Sequence, residues 1–256
     1  SFVAALRSML ANPDILLAAT TLISEEQQKI QSAALQGPYL EVPEGISLCS
    51  MVRDQMVRTP DAISVRDENE QLSYRELEDR AGKYCAALIN AGVKENDVVG
   101  IALGRSADSI ALLLGILKCG AAWVACDPAF PEQRIRAMIR TAAPVFIIVD
   151  DENSWALSGQ KILVQKLRAA AKLSVPPPQV LSQPTESSVC VLFTSGSTGE
   201  PKAVRVSQAA AISRCLWMWD AYHFSPADNF AQRSSFNFVD VLWEIFGALI
   251  HGARVS

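Results

Sequence analysis

Val98-Val99-Gly100-Ile101-Ala102-Leu103, then Ser106 to Lys118, then Ala122-Trp123-Val124-Ala125 is the stretch on which the fold turns. Two short apolar runs flank a segment of helix length. A strand, a helix and a strand at this spacing predict a right-handed crossover between parallel neighbours. The same rhythm extends upstream. There a helix over Ser47 to Arg58 precedes a strand over Ala62 to Asp67 and a turn at Asp67-Glu68-Asn69-Glu70. The next helix opens at Ser73, with Glu76 three residues later as a capping box, and stops at Gly92. Downstream come a helix over Pro131 to Thr141 and a strand over Val145 to Val149. The fold class predicted is α/β, with parallel or mixed sheets flanked by helices.

Past Val149 the pattern resumes only after Ser174 to Pro184, a Pro-rich stretch expected to be a subdomain boundary or a long surface connection. A strand over Ser188 to Phe193, a Gly/Ser/Thr loop, a strand over Ala203 to Val206 and a helix over Gln208 to Trp219 follow. A strand near Phe230 to Ser234 and a helix over Asp240 to His251 complete the pattern, and Gly252 to Ser256 reads as the opening of another strand. No internal repeat is visible. Residues 1–45 differ in character: two short amphipathic helices, Phe2 to Leu10 and Ser24 to Ala34, precede an extended Pro/Gly stretch. Ser24 followed by Gln27 fits a capping box. This segment is expected to be a linker or docking edge, and the first residue, Ser1, suggests a piece of a longer polypeptide.

Half of the 256 residues are hydrophobic, enough for a sizeable core. The net charge of -4, without a dense Lys/Arg block, excludes a nucleic-acid surface from the expected partners. Ile110 to Leu117, the longest apolar stretch, is far short of the roughly 20 residues that span a bilayer, and the start lacks the zones of a signal peptide. A cytoplasmic protein with no membrane partner is expected. Six cysteines without a C-x-x-C pair, and only two histidines, predict buried reduced thiols and no metal site built from the chain.

One segment carries chemistry: Leu192-Phe193-Thr194-Ser195-Gly196-Ser197-Thr198-Gly199-Glu200-Pro201-Lys202. Glycines let backbone N–H groups turn toward an anion, hydroxyls add donors and Lys202 adds a positive charge, which together suit a triphosphate. The plain alternative is a polar hairpin loop. A Walker A loop is excluded, because Glu200-Pro201 separates Gly199 from Lys202.

At these residues the chain resembles the adenylate-forming superfamily, which includes acyl-CoA synthetases, luciferases and the adenylation domains of nonribosomal peptide synthetases. The resemblance implies that Thr194, Ser195, Gly196, Ser197, Thr198, Gly199 and Lys202 hold ATP with Mg2+, and that Lys202 and Thr194 act in catalysis. The family usually has Gly after the Lys and His six residues beyond it, where this chain has Ala203 and Gln208. Three further segments resemble peptide-synthetase motifs in the expected order. They are Leu72 to Leu77, Leu117 to Pro128, and Phe238 to Gly252 with Trp243-Glu244-Ile245-Phe246-Gly247. By the same resemblance residues 1–45 look like a condensation-domain tail and linker, and 46–256 like the first portion of an adenylation domain. The ribose-binding Asp and the lid with its catalytic Lys are missing, so the isolated fragment is expected to bind ATP weakly and catalyse little.

The last motif implies a substrate pocket of Phe238, Val239, Asp240 and Trp243. Val239 stands where domains for α-amino acids usually carry the Asp that pairs with the substrate ammonium, and the acid comes one position later at Asp240. One step along a helix swings a carboxylate by about 100°, which suits an ammonium farther from the reacting carboxyl, as in β-alanine. Capping by Asp240 is the plain alternative, as core packing is for Trp243; Trp217 and Trp219 read as structural. The expected activity is ATP-dependent formation of an acyl-adenylate from an amino acid or other small carboxylic acid, with transfer to a carrier-protein thiol. The carrier and condensation domains of the same synthetase are the expected partners. The rivals are an acyl-CoA synthetase-type ligase and a non-catalytic nucleotide-binding or docking domain.

Overall fold

The computed structural model describes residues 2–14, 16, 23, 25–35, 42–127, 129–150, 161–175, 184–194 and 201–256. The chain divides into two compact units, Ser1–Glu41 and Val42–Ser256. In the first, α1 (Phe2–Ala11) and α2 (Glu25–Leu35) match the two expected helices to within a residue at each end. The capping box at Ser24 lies outside the described residues.

In the second unit, serine caps open the early helices. Ser47 and Ser50 form a capping box at α3 (Leu48–Arg58). After β1 (Ile63–Arg66) and β2 (Gln71–Ser73), Ser73 and Glu76 form the predicted box at α4 (Tyr74–Asn90). β3 (Val98–Ala102), α5 (Ala107–Lys118) and β4 (Ala122–Ala125) form the crossover read from the sequence. α6 (Glu132–Ala142), β5 (Phe146–Val149), β6 (Lys161–Leu163), α7 (Val164–Leu173), β7 (Ser188–Thr194), β8 (Lys202–Ser207) and α8 (Gln208–Tyr222) follow. The strands stand in the order β6-β5-β3-β4-β7-β8, parallel except that β8 runs antiparallel to β7.

Alternation along these strands gives the sheet two apolar faces. Val98, Ala102, Val124, Cys126, Ile147 and Val149 form a small core with Ile135 of α6. Val99, Ile101, Trp123, Ala125 and Ile148 join the main core, to which α5 contributes Ile110, Leu113, Leu114 and Leu117. The two crossovers from adjacent strands β3 and β4 therefore pass over opposite faces. All twelve residues of α5 are buried, and Gly115 lets it approach α4, since a Cβ there would lie 2.7 Å from that of Tyr84. Asp108, the one buried acid of α5, accepts hydrogen bonds from Tyr84 (2.7 Å) and Arg168 (2.6 Å).

A second sheet, not foreseen from the sequence, has the order β2-β1-β10-β9, with β9 (Asn229–Phe230) and β10 (Arg254–Val255) parallel to β1. The expected strand over Phe230 to Ser234 thus keeps only its first residue, in β9, because the amides of Arg233 and Ser234 turn away to the Glu244 carboxylate. The expected helix over Asp240 to His251 is also interrupted. It begins as α9 (Asp240–Leu242), widens into a π-helical turn over Trp243–Gly247, and ends before Gly252 at φ 86°. The Pro-rich stretch is no boundary between sheets, since β7 beyond it pairs directly with β4 before it. All six cysteines are free and buried, as expected, and burial pushes the thiols of Cys49, Cys126, Cys190 and Cys215 up to about 12.

Candidate active site

In an open parallel sheet, ligands bind beyond the carboxyl ends of the strands where successive crossovers part to opposite faces. Here that point is the gap between β3 and β4. A cleft of about 330 Å³ opens there, lined by Gly104 and Arg105 after β3, Asp127 after β4, Asp150 after β5, and Ser235 and Asn237 from the segment preceding α9.

β7, beside β4, ends at the same edge of the sheet. Thr194 at its close pairs with Lys202 at the start of β8, and both are exposed. The hydroxyl and ammonium so stand at the mouth of a hairpin whose connecting residues include Ser195, Gly196, Ser197, Thr198 and Gly199, all outside the described residues. On the described flanks, the Thr194 hydroxyl and the Lys202 ammonium suit a polyphosphate. The departure at Gln208 has a structural explanation: its side chain is fully buried and accepts a hydrogen bond from the Leu48 amide at the start of α3 (3.0 Å).

Phe238, Val239 and Asp240 come together on an exposed turn at the start of α9. Val239, not Asp240, occupies the cap position, and no side chain caps this helix. The Asp240 carboxylate instead has Arg214 of α8 as its ionic neighbour at 3.9 Å, both half-exposed. Trp243 is partly buried, within 5.1 Å of Phe224 and 5.0 Å of Phe230, and its ring would meet any Cβ on Gly247 at 2.8 Å. It packs as core while bordering a shallow depression with Asp240, Glu244, Arg233 and Ser234. Trp219 is structural as expected, stacked on His251 at 4.1 Å. Burial lowers the His251 pKa despite the hydrogen bond between its Nδ1 and the Gly247 carbonyl. Trp217 is more exposed, under the Arg214 guanidinium.

The residues that sequence reasoning missed are those that fix the segment before α9. Arg105 donates to the carbonyls of Gln232 (3.2 Å) and Arg233 (2.6 Å). Asp127 accepts from the Ser235 hydroxyl at 2.8 Å. Glu244 accepts from the amides of Arg233 and Ser234 and from the Ser234 hydroxyl. Asp127 and Glu244 lay inside motifs already quoted, which was the available signal. Among the described residues no group of three or more His, Cys, Asp or Glu side chains could hold a metal ion, and no helix is long and apolar enough to cross a membrane.

Comparison with known proteins decides the family. A model describing AMP-binding enzymes matches residues 52–256. The chain belongs to the AMP-binding enzymes. Members of this adenylate-forming family use ATP, generally with Mg2+. Enterobactin synthase component F of Escherichia coli K12 is 34% identical over 226 residues, which cover 88% of this AMP-binding chain but 17% of that protein. Malpinin synthetase of Mortierella alpina is 30% identical over 245 residues, which cover 94% of the chain and 3% of that synthetase. The chain thus spans a small part of the curated relatives it matches. Among solved structures, the N-terminal subdomain of Klebsiella oxytoca NpsA with 3-hydroxyanthranilyl-AMSN superposes with a TM-score of 0.74 at 25% identity, over 82% of this chain and 52% of that one. The AMP-binding chain therefore has the architecture of the N-terminal part of a peptide-synthetase adenylation domain.

Proposed function

We propose that the parent protein activates a β-amino acid such as β-alanine as its acyl-adenylate and passes the acyl group to a carrier-protein thiol with release of AMP, with condensation and carrier domains of the same synthetase as partners. The observation that carries the substrate is the state of Asp240. Its carboxylate begins α9 without capping a backbone amide. Its ionic neighbour among the described residues, Arg214 at 3.9 Å, is a loose half-exposed contact that a substrate ammonium entering beside Trp243 can replace. Val239 provides no carboxylate one position earlier. NpsA also forms a complex with anthranilyl-AMSN at 25% identity. An anthranilyl group bears its amine on the carbon next to the one carrying the carboxyl, the β position, which supports the reading. The same subdomain also forms a complex with 3-hydroxybenzoyl-AMSN, whose acyl group has no amine, and aryl acids therefore stand beside β-alanine in the test.

In this scheme Thr194, Ser195, Gly196, Ser197, Thr198 and Gly199 donate hydrogen bonds to the phosphates, and Lys202 offsets their charge. Phe238, Val239, Asp240 and Trp243 hold the acid so that its carboxylate faces the α-phosphate, which it attacks with loss of pyrophosphate; Mg2+ supplies further charge neutralisation. Catalysis by this chain's residues is then positioning and electrostatics. The burial of Gln208 disfavours the docking-domain alternative, since that departure serves the contact between α8 and α3.

Substrate-dependent exchange of labelled pyrophosphate into ATP tests the proposal, using the complete parent adenylation domain with β-alanine, common α-amino acids and aryl acids in parallel. Exchange with β-alanine above the α-amino acids is expected. Preference for an α-amino acid removes the role given to Asp240, and silence with every acid removes the activity.

A further inference from the structure

The segment Gln232 to Asn237 has little regular structure, yet it is tied at three places to three different parts of the fold. Arg105 reaches it from the end of β3, Asp127 from the end of β4, and Glu244 from the π-helical turn that follows α9. Ser235 relays the second tie onward. While its hydroxyl donates to Asp127, its carbonyl accepts the amide of Phe238 at 3.0 Å, and the Asn237 side chain lies 3.2 Å from the same hydroxyl. The Glu244 carboxylate spends both oxygens on the segment, at 3.1 and 2.9 Å to amides and 2.8 Å to the Ser234 hydroxyl. The wider turn at Trp243–Gly247 fits this duty, because an extra residue in a helical turn redirects the side chain it carries.

From this geometry we infer that Glu244 and Asp127 are positioning residues for the acid substrate. They clamp Gln232 to Asn237 and thereby fix the turn Phe238–Asp240 relative to the strand ends, without touching the phosphates. This rests on the proposed binding of the acid by that turn. A carboxylate accepting two backbone amides holds them more firmly than a neutral acceptor, so its loss leaves the turn free to wander by the small distances that misplace a reacting group.

The test compares Glu244→Ala, Glu244→Gln, Ser234→Ala, Asp127→Asn and Asp240→Ala in the complete parent adenylation domain by pyrophosphate exchange, varying acid and ATP separately. Glu244→Ala is expected to raise KM for the acid about tenfold or more while KM for ATP stays within about twofold, with Glu244→Gln between it and the parent. Ser234→Ala and Asp127→Asn, each removing or weakening one tie, should raise the acid KM by a smaller factor and serve if Glu244→Ala does not fold. A purely structural role would lower kcat through the folded fraction and leave both KM values alone, which overturns the inference. If Asp240→Ala raises the acid KM and none of the clamp variants does, the clamp alone fails. If Asp240→Ala leaves it unchanged, the reading of the turn fails and the clamp falls with it.

Discussion

The unit β3–α5–β4 and the segment from Gln232 to Gly247 both shape the cleft, and they are held in place by different forces. In the first, every residue of α5 and of both strands is buried, and side-chain packing around a regular backbone ladder defines the position of the strand ends. The second is anchored in the core from Val241 onward, but its first part, Gln232 to Asp240, is mostly half-exposed or exposed and is held by hydrogen bonds with Arg105, Asp127 and Glu244. Packing forces are non-directional and large, whereas hydrogen bonds at the surface are worth little net energy but specify direction. The contrast suggests a division of labour: the buried unit sets stability, and the clamped segment sets how the acid is held.

The strongest way to break that division is at Leu114, fully buried in α5. Leu114→Ala should lower the unfolding free energy by about 2–5 kcal/mol, read by denaturant titration of the parent domain, while the surviving folded fraction keeps its KM for acid and ATP. Glu244→Ala should do the reverse: its stability cost, about 0.5–1.5 kcal/mol because the amides it releases are exposed or half-buried and can turn to water, is smaller and its effect on acid KM larger. If Leu114→Ala shifts the acid KM as much as Glu244→Ala does, the division fails. A lesser effect is expected at Ser73, which joins Glu76 in the capping box of α4. Ser73→Ala should cost about 1 kcal/mol, and no change in denaturation midpoint would mean that packing of α4 outweighs its cap.

The buried unit was readable from sequence for the same reason that it is stable. Apolar periodicity records packing, so β3, α5 and β4 fell within a residue of their expected bounds, and the capping box at Ser73 marked the start of α4. Elements of three residues carry no period, and β2 and β6 escaped notice for that reason. α7 was missed although Val164, Leu167 and Ala171 recur at helical spacing, because nothing in the residues just before it announced a start. The second sheet joins Val65 to Val255, a pairing that local pattern cannot contain. In the candidate site, Thr194 and Lys202 were legible as the two ends of a loop. The bond from Ser235 to Asp127, 108 residues apart, was not, and neither was the π-helical turn, whose apolar spacing resembles that of an ordinary helix.

The smallest expected effect lies on the far side of that turn, where the two kinds of force meet. His251 stacks on Trp219 with its ring 3° from parallel, and its Nδ1 is 2.9 Å from the Gly247 carbonyl. Burial holds its pKa below the ordinary 6.5. The unfolded chain therefore binds a proton more readily than the folded one, and the stability this site contributes is complete above about pH 6.5 and lost as the pH falls through the lowered value. Unfolding free energy measured between about pH 8 and pH 5 should decline toward acid. His251→Phe keeps a ring against Trp219 and removes the titrating site, so its profile should be flatter over the same window. Carboxylates such as Asp67 and Glu76, held below their usual range by backbone amides that outweigh burial at Asp67, lose their contribution only at lower pH. An equal slope in the His251→Phe variant would place the acid sensitivity elsewhere and leave the stack as packing alone.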